Sequence, residues 1–303
     1  MVFKQLELKS RSYIDYWYQL SFNGDRTDTS KIRTIGLLLG PYRNLTTLTA
    51  SIMALHPNCQ VLNHAGDRIF ANRKVNFFNR FDKQILDNFL KYALKISQGG
   101  KRGNRGGSIT LSHAFANHKG IRDLYKRRYG EARIKENVYC LFWKESLRTS
   151  NYLRHHQIDL NTFFEHNSLA RFLLPIRNPL DCAISNIKTG HANLFYDTDP
   201  TDVRQVVDAV LDEIRWVLEL KERFPERFFV YTEKQFDADV LREMATFFSL
   251  PIDEQWIKDA MNSFKIKKTY IYENEWIDHY LKSLNQHLRN HPQMMEILKA
   301  FIE

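Results

Sequence analysis

The segment Thr34-Ile-Gly-Leu-Leu-Leu-Gly-Pro-Tyr-Arg-Asn-Leu-Thr-Thr-Leu48 decides the class of fold that we expect. Its first half is mostly apolar and predicts a buried strand, and its second half opens a helical pattern that runs to His56. A strand, a tight loop and a helix N-terminus form an arrangement that holds anionic phosphate, because free backbone N–H groups and the positive end of the helix dipole face the loop. Arg43 adds a fixed positive charge, and Thr46 and Thr47 place hydroxyl groups on the first helical turn. The alternative is that the threonine pair only caps the helix.

Short apolar runs of the same kind alternate with longer segments of helical period along the rest of the chain. Further predicted strands cover residues 60–62, 108–111, 138–143, 171–176 and 227–231. Apolar spacing of three and four predicts helices around residues 81–94, 206–218 and 276–288. This alternation predicts an α/β fold of the P-loop type, with three layers in which helices flank a central parallel sheet. Because no repeat or linker interrupts the pattern, we expect a single domain over residues 1–303 with a helical C-terminal portion.

A second motif follows the predicted strand 171–176 and reads Arg177-Asn-Pro-Leu-Asp-Cys-Ala-Ile-Ser-Asn186. Arg177 stands at the end of the strand, and Ser185 lies eight residues later on the next helix. An arginine and a serine placed in this way can hold one phosphate from two sides, with charge and hydroxyl together. The alternative interpretation is a surface arginine and an ordinary helix serine.

In order and spacing the two motifs resemble those of the sulfotransferases that use 3′-phosphoadenosine-5′-phosphosulfate (PAPS). The segment 43–49 is similar to the family loop [K/R]-S-G-T-T-x-L, which binds the 5′-phosphosulfate. The segment 177–186 is similar to R-[D/N]-P-x-D-x-x-x-S, which binds the 3′-phosphate. The resemblance covers roughly residues 34 to 250 and implies PAPS as cofactor and PAP as product. It implies the following cofactor-binding residues: Arg43, Asn44, Leu45, Thr46, Thr47, Arg177 and Ser185.

Two features depart from the family pattern. Leu45 stands where the family usually has glycine, which alters how closely the loop backbone approaches a ligand. No R-K-G element like that of the cytosolic steroid and phenol enzymes occurs near the C-terminus, so the bacterial, glycan and tyrosyl branches are more similar. Lys265, Lys267 and Lys268 either replace that charge or form a solvated lysine run.

The candidate catalytic residues follow the ends of predicted strands. In open parallel sheets, ligands bind at the carboxyl ends of the strands. Sulfuryl transfer, like phosphoryl transfer, needs in-line geometry, charge stabilisation on the leaving group and a base. We expect Arg43 to stabilise the departing phosphate, and Lys144 matches a lysine that many family members carry.

The identity of the base stays open between His64, His113, and Glu145 or another group. The pair His56-Pro57 is similar to a further family landmark, and His64 follows it at about the distance at which glycan and tyrosyl enzymes carry a catalytic glutamate. A neutral imidazole can do the same work near pH 7. His113 is similar to the strand-end histidine of the cytosolic enzymes, and Glu145 is the third candidate. We prefer His64 on position.

Composition limits the partners. The chain has 303 residues and a formal net charge of +9, which attracts polyanions, and the segment Gly99–Gly107 is a basic loop of unassigned role. A basic protein that binds polyanions without catalysis is therefore one alternative. A nucleotide kinase is another, but the loop G-x-x-x-x-G-K-[ST] is absent. We expect a small-molecule or glycan acceptor with a hydroxyl or amine, by family analogy, and no nucleic acid; the sequence does not determine the oligomeric state.

Three features concern the compartment. The three cysteines have no metal-ligand spacing, and no metal is expected. No apolar run is long enough to span a bilayer, and the N-terminus lacks the apolar stretch of a signal peptide. Asn44-Leu-Thr46 is formally a glycosylation acceptor inside the phosphate loop, where a glycan would block the ligand. We therefore expect a cytoplasmic protein without a transmembrane segment.

Overall fold

The computed structural model describes residues 2–17, 28–97, 107–112, 115, 119–130, 135–266 and 270–302. The centre of the molecule is a six-stranded sheet. Its strands are β1 (Thr34–Leu38), β2 (Cys59–Asn63), β3 (Gly107–Ser108), β4 (Cys140–Lys144), β5 (Ala170–Ile176) and β6 (Phe228–Thr232). The spatial order is β3-β2-β4-β1-β5-β6.

The predicted central parallel sheet is confirmed for the five longer strands, which pair in parallel. The short edge strand β3 is the exception, since it pairs antiparallel with β2. The strand predicted over residues 108–111 ends early because Ile109–Leu111 form a 3₁₀ turn. The side chain of Ser108 caps that turn by accepting a hydrogen bond from the Thr110 N–H group.

Helices cover both faces of the sheet. They are α1 (Val2–Trp17), α2 (Thr46–Leu55), α3 (Gly66–Ala71), α4 (Lys83–Ser97), α5 (Lys119–Tyr129), α6 (Leu147–His155), α7 (Leu160–His166), α8 (Pro179–Lys188), α9 (Val203–Arg223), α10 (Ala238–Phe247), α11 (Glu254–Ser263), α12 (Asn274–His287) and α13 (Pro292–Lys299). The three predicted helical stripes correspond to α4, α9 and α12.

Successive residues of the central strand face two separate apolar cores. Leu37 of β1 packs in a core with residues of α4, α7, α8, α9 and α12. Leu38 packs in the other core with residues of α2, α5, α10 and α11. Burial of a parallel sheet on both faces explains why its strands read as apolar runs in the sequence. The expected three-layer α/β architecture is therefore confirmed.

The register brings the carboxyl ends of the strands together at one edge. Asn63 at the end of β2 is opposite Lys144 at the end of β4. The central strand β1 lies between β4 and β5, so the loop after β1 is beside the loop after β5. Strands β2 and β4 lie on one side of β1, and β5 and β6 lie on the other. The strand order therefore reverses at β1, and open α/β sheets bind ligands at such a reversal.

Three further observations concern the described residues. None of the helices in this part of the chain combines the length and the apolar character that crossing a bilayer requires. No group of three or more His, Cys, Asp or Glu side chains there is arranged to hold a metal ion. Cys59, Cys140 and Cys182 are buried free thiols.

Candidate active site

A cavity of about 650 Å³ opens at the carboxyl edge of the sheet. The loop after β1, the turn after β2, the end of β4 and the segment after α8 contribute to its wall. Of the predicted site residues, it is lined by Arg43, Leu45, Thr46, Thr47, His64, Lys144 and Arg177. The structure therefore brings together residues that the sequence placed in four different segments.

The phosphate loop has a left-handed backbone at two non-glycine residues. Arg43 and Leu45 both have a φ of 62°. This conformation explains why the related loops carry glycine at the position of Leu45, since glycine adopts positive φ without steric cost. Leu45 is also the N-cap of α2 and makes no side-chain capping bond. The threonine pair therefore does not cap the helix, and the first N–H groups of α2 have no side-chain cap.

The two predicted phosphate motifs meet in the folded chain. Arg43 Nε donates a hydrogen bond of 2.8 Å to Ser185 Oγ. Asn44 Nδ2 donates to the carbonyl oxygen of Pro175 at 2.5 Å, and Asn44 Oδ1 accepts from the backbone N–H of Arg177 at 2.8 Å. Because the side chain of Asn44 is fully buried and engaged on both sides, only its backbone is left for a ligand. Its side chain instead joins the first motif to the second.

Arg177 and Ser185 retain unused hydrogen-bonding capacity. One terminal nitrogen of Arg177 donates to Asp181 Oδ2 at 3.1 Å, whereas its buried Nε has no partner among the described residues. Asp181 also accepts from the Tyr272 hydroxyl at 2.6 Å, which orients the carboxylate. Ser185 Oγ accepts from Arg43, so its own proton is left to donate. Buried donors of this kind are commonly satisfied by a ligand or by water.

A second cluster surrounds the buried carboxylate of Glu145. Glu145 accepts from the Tyr42 hydroxyl at 2.5 Å and from the backbone N–H of Gly66 at 3.1 Å, and His64 Nδ1 lies 3.9 Å from its Oε2. Burial alone would raise the pKa of Glu145, but the nearby imidazole of His64, the hydrogen bond from Tyr42 and the charge of Lys144 together hold it below its ordinary value. Glu145 is therefore a carboxylate whose two oxygens are already engaged.

The other ring nitrogen of His64 contacts Lys144. The distance between His64 Nε2 and Lys144 Nζ is 3.1 Å. An ammonium group can only donate, so His64 Nε2 accepts this hydrogen bond. The backbone of His64 is held in turn, because its carbonyl oxygen accepts from Trp143 Nε1 at 2.5 Å and its N–H donates to the Lys144 carbonyl at 3.1 Å. The preferred base of the sequence analysis thus lies in the site with its Nε2 lone pair engaged.

Sequence reasoning missed several polar residues of the cavity wall, among them Asp67, Arg148 and His191. Arg148 forms an ion pair with Asp67. His191 lies with its ring centroid 5.2 Å from that of Tyr42, and its Nδ1 is 2.7 Å from Thr189 Oγ1. Burial lowers the pKa of His191, and the positive charges of Arg43 and Lys144 lower it further. The one sequence signal for His191 is that it follows the helix of the second motif.

Several residues for which the sequence predicts a role lie outside the described residues. His113, the alternative base, is among them, as are Lys267, Lys268 and residues 99–106 of the basic loop. Lys265 is described and is exposed after α11. The roles expected for these residues stay predictions.

Comparison with known proteins gave structural neighbours only. No protein-family model matches the chain, and no curated protein matches it. The chain is similar to a sulfotransferase from Mycobacterium avium, with 13% identity over 96% of this chain and 84% of that chain and a TM-score of 0.49. A mouse sulfotransferase complexed with PAP is 11% identical over 97% of this chain and 94% of that chain, with a TM-score of 0.43.

A third neighbour is the sulfotransferase domain of the curacin biosynthetic pathway, with 13% identity over 78% of this chain and 80% of that chain and a TM-score of 0.37. At these identities and TM-scores, we base the assignment of function on the residues of the site itself.

Proposed function

We propose that this protein transfers a sulfuryl group from PAPS to an acceptor hydroxyl or amine and releases PAP. The observation that carries the proposal is the hydrogen bond from Arg43 to Ser185 beside Arg177, which joins the two phosphate motifs at one cavity. A nucleotide with phosphate groups at both its 5′ and 3′ positions needs two such anion sites side by side. A kinase needs a different loop and a Mg²⁺ carboxylate, and a nonspecific basic surface does not need paired motifs.

The residues present fit PAPS at both ends. Arg177 and Ser185 would hold the 3′-phosphate, since each has a donor that the fold leaves unused. Arg43 and the N–H groups at the start of α2, with Thr46 and Thr47, would hold the 5′-phosphosulfate. When bound, PAPS supplies an activated sulfuryl group on a phosphate leaving group. Arg43 and Lys144 would stabilise the negative charge that develops there.

As part of this proposed function, we propose that the acceptor is a carbohydrate. The part of the cavity wall beyond the phosphate motifs is rich in polar groups, namely Ser112, Asp67 and Arg148. Such groups can make the many hydrogen bonds that a hydroxyl-rich acceptor requires. A cytoplasmic location is supported by the buried free cysteines and by the burial of Asn44, because a glycan on this formal glycosylation acceptor would not fit the folded site.

Binding calorimetry with PAP and ADP tests the proposal, because ADP lacks the 3′-phosphate. The wild-type chain should strongly prefer PAP. Arg177→Ala and Ser185→Ala should each weaken PAP binding by about 1.5–3 kcal/mol, the range for a charge-assisted hydrogen bond, and weaken ADP binding much less. Arg242→Ala removes an exposed ion pair with Glu254 and serves as the control.

Two results would contradict the proposal. Equal affinity of the wild-type chain for PAP and ADP would show that the chain has no 3′-phosphate site. Tight binding of heparin with no measurable binding of PAP would favour the noncatalytic polyanion-binding alternative.

A further inference from the structure

We propose that His191 is the group that takes the acceptor's proton, and that His64 positions Lys144 instead. This assignment rests on the proposed function. Its argument uses the contacts of the two histidines that line the same cavity.

His191 is well placed for such a role. It begins the 3₁₀ turn His191–Leu194 directly after α8, the helix that carries Ser185. Its ring is half-buried, packs against Tyr42 and belongs to the cavity wall. The Tyr42 ring and Thr189 after the end of α8 contact the imidazole from two sides.

The neighbouring threonine determines which ring nitrogen of His191 carries the proton. Thr189 Oγ1 donates to the carbonyl oxygen of Ser185 at 2.7 Å. A hydroxyl group has one proton, and we assign it to the Ser185 carbonyl, which can only accept; the same oxygen then accepts in its 2.7 Å contact with His191 Nδ1. Nδ1 of His191 is therefore the N–H donor, and Nε2 carries the lone pair. Within the described ranges no donor contacts this Nε2, so the lone pair is available to a substrate.

The charges around His191 keep it in the form that a base requires. The groups that face it are Arg43 from the phosphate loop, His64 from the turn after β2, Lys144 from β4 and Arg148 from α6, together with the Tyr42 ring. Burial lowers the pKa of His191 below its usual value of 6.5, and the charges of Arg43, Lys144 and Arg148 lower it further. A neutral imidazole with a free Nε2 is the state that can accept a proton at neutral pH.

His64 differs from His191 in the contacts of its ring nitrogens. Its Nε2 accepts from Lys144 at 3.1 Å, and its Nδ1 faces the buried carboxylate of Glu145 at 3.9 Å. Both ring nitrogens thus face protein groups, which form a row from Glu145 through His64 to Lys144. This row orients the Lys144 ammonium group in the cavity, which is a positioning role.

The transfer step balances with His191 as the base. Nε2 of His191 takes the O–H or N–H proton of the acceptor while the acceptor atom bonds to sulfur, and the electron pair of the broken S–O bond stays on the phosphate of PAP. The imidazolium then releases its proton to solvent. No oxidant or reductant is required.

The first test reads the tautomer directly and needs no substrate. Long-range ¹H–¹⁵N correlation spectra of the full chain should show His191 as the Nδ1–H tautomer. Thr189→Val removes the acceptor and should shift His191 toward the Nε2–H form, whereas Thr189→Ser should preserve the wild-type signals. A wild-type His191 in the Nε2–H form would overturn the assignment.

The second test compares the two histidines in catalysis, with water as the acceptor and PAP release from PAPS as the readout. His191→Gln should lower kcat by about 10²–10⁴, the range for loss of a general base, with PAP affinity unchanged. The rising limb of the pH profile should have an apparent pKa below 6.5 and should disappear in His191→Gln. His64→Gln should lower kcat but keep that limb.

The outcomes separate the assignment from the function on which it rests. If His64→Gln lost the rising limb of the pH profile and kept the preference for PAP over ADP, the base would be His64 and the assignment to His191 would be wrong. A chain without preference for PAP would overturn the proposed function instead.

Discussion

At the scale of single residues, the left-handed backbone conformations concentrate at the cavity. Arg43, Leu45, His64 and Ala65 all have a positive φ. Such conformations cost an L-residue about 1–2 kcal/mol each and persist only where the surroundings hold them. Ser185 holds Arg43, and Trp143 and Lys144 hold His64. The strained residues are thus among those to which we assign binding and positioning.

Leu45 offers a direct measure of this strain. Leu45→Gly should leave the free energy of unfolding within about 1 kcal/mol of wild type, because relief of the left-handed φ offsets the greater entropy of glycine in the unfolded chain. Leu45→Val should lower it by about 1–2 kcal/mol, because a branched side chain tolerates positive φ poorly. Urea denaturation measures both, and Leu48→Val, in the helix, is the control. Equal stability of the two Leu45 variants would show that φ does not constrain this position.

At the scale of elements, the site depends on how the loop after β1 is attached to the end of β5. The side chain of Asn44 makes both connections, to the Pro175 carbonyl and to the Arg177 N–H. A second connection comes from α8, where Asn186 donates to the Tyr42 carbonyl at 2.7 Å. The distance between the two phosphate motifs is therefore set by buried side-chain amides, which do not themselves face the cavity.

This arrangement predicts an indirect effect on binding. Asn44→Ala should lower the free energy of unfolding by about 1–3 kcal/mol, because it leaves buried polar groups without partners. It should also weaken PAP binding in calorimetry, since the Arg177 backbone loses its connection to the loop. Asn58→Ala removes an exposed hydrogen bond to the Asn137 carbonyl and is the matched control. Undiminished PAP affinity in Asn44→Ala would show that the two motifs hold their spacing without it.

At the scale of the whole molecule, His56 connects the phosphate helix to the C-terminal half of the chain. Its Nε2 donates to the Pro251 carbonyl at 2.9 Å, and its Nδ1 accepts from the Asn58 N–H at 3.1 Å. Its ring packs against Trp256 of α11, with centroids 5.0 Å apart. Both nitrogens are thus satisfied only in the neutral form. Burial, the largest cause, lowers the pKa of His56 from 6.5 to about 4.

This depressed pKa predicts how stability depends on pH. In the unfolded chain His56 binds a proton below about pH 6.5, whereas in the folded chain it does so only below about pH 4. The free energy of unfolding therefore decreases as the pH falls through this window. Between pH 7 and pH 5 the loss from this group should be about 2 kcal/mol. Urea denaturation at the two pH values should show a smaller loss in His56→Asn, with the exposed His155→Gln as control. An unchanged pH dependence in His56→Asn would contradict the prediction.

The sequence by itself determined the elements and the two phosphate motifs. Strand and helix patterns depend on local alternation and spacing of apolar residues. The apolar runs before Arg43 and before Arg177 therefore predict strands from the sequence alone. Strand-end position then indicates which polar residues gather, because parallel strands end at a common edge. The antiparallel direction of β3 was not predicted, since direction depends on where the chain returns to the sheet.

Only the tertiary structure decided which atoms meet at that edge. The contacts of Arg43 with Ser185 and of His64 with Lys144 join residues far apart in the chain, and they depend on the strand order and register. The same holds for the burial of Asn44, which looks like any loop asparagine in the sequence. The tautomer of His191 depends on one hydroxyl proton of Thr189. A hydrogen bond exists only within a few tenths of an ångström and a limited angle, and local sequence patterns do not specify positions between distant segments to that accuracy.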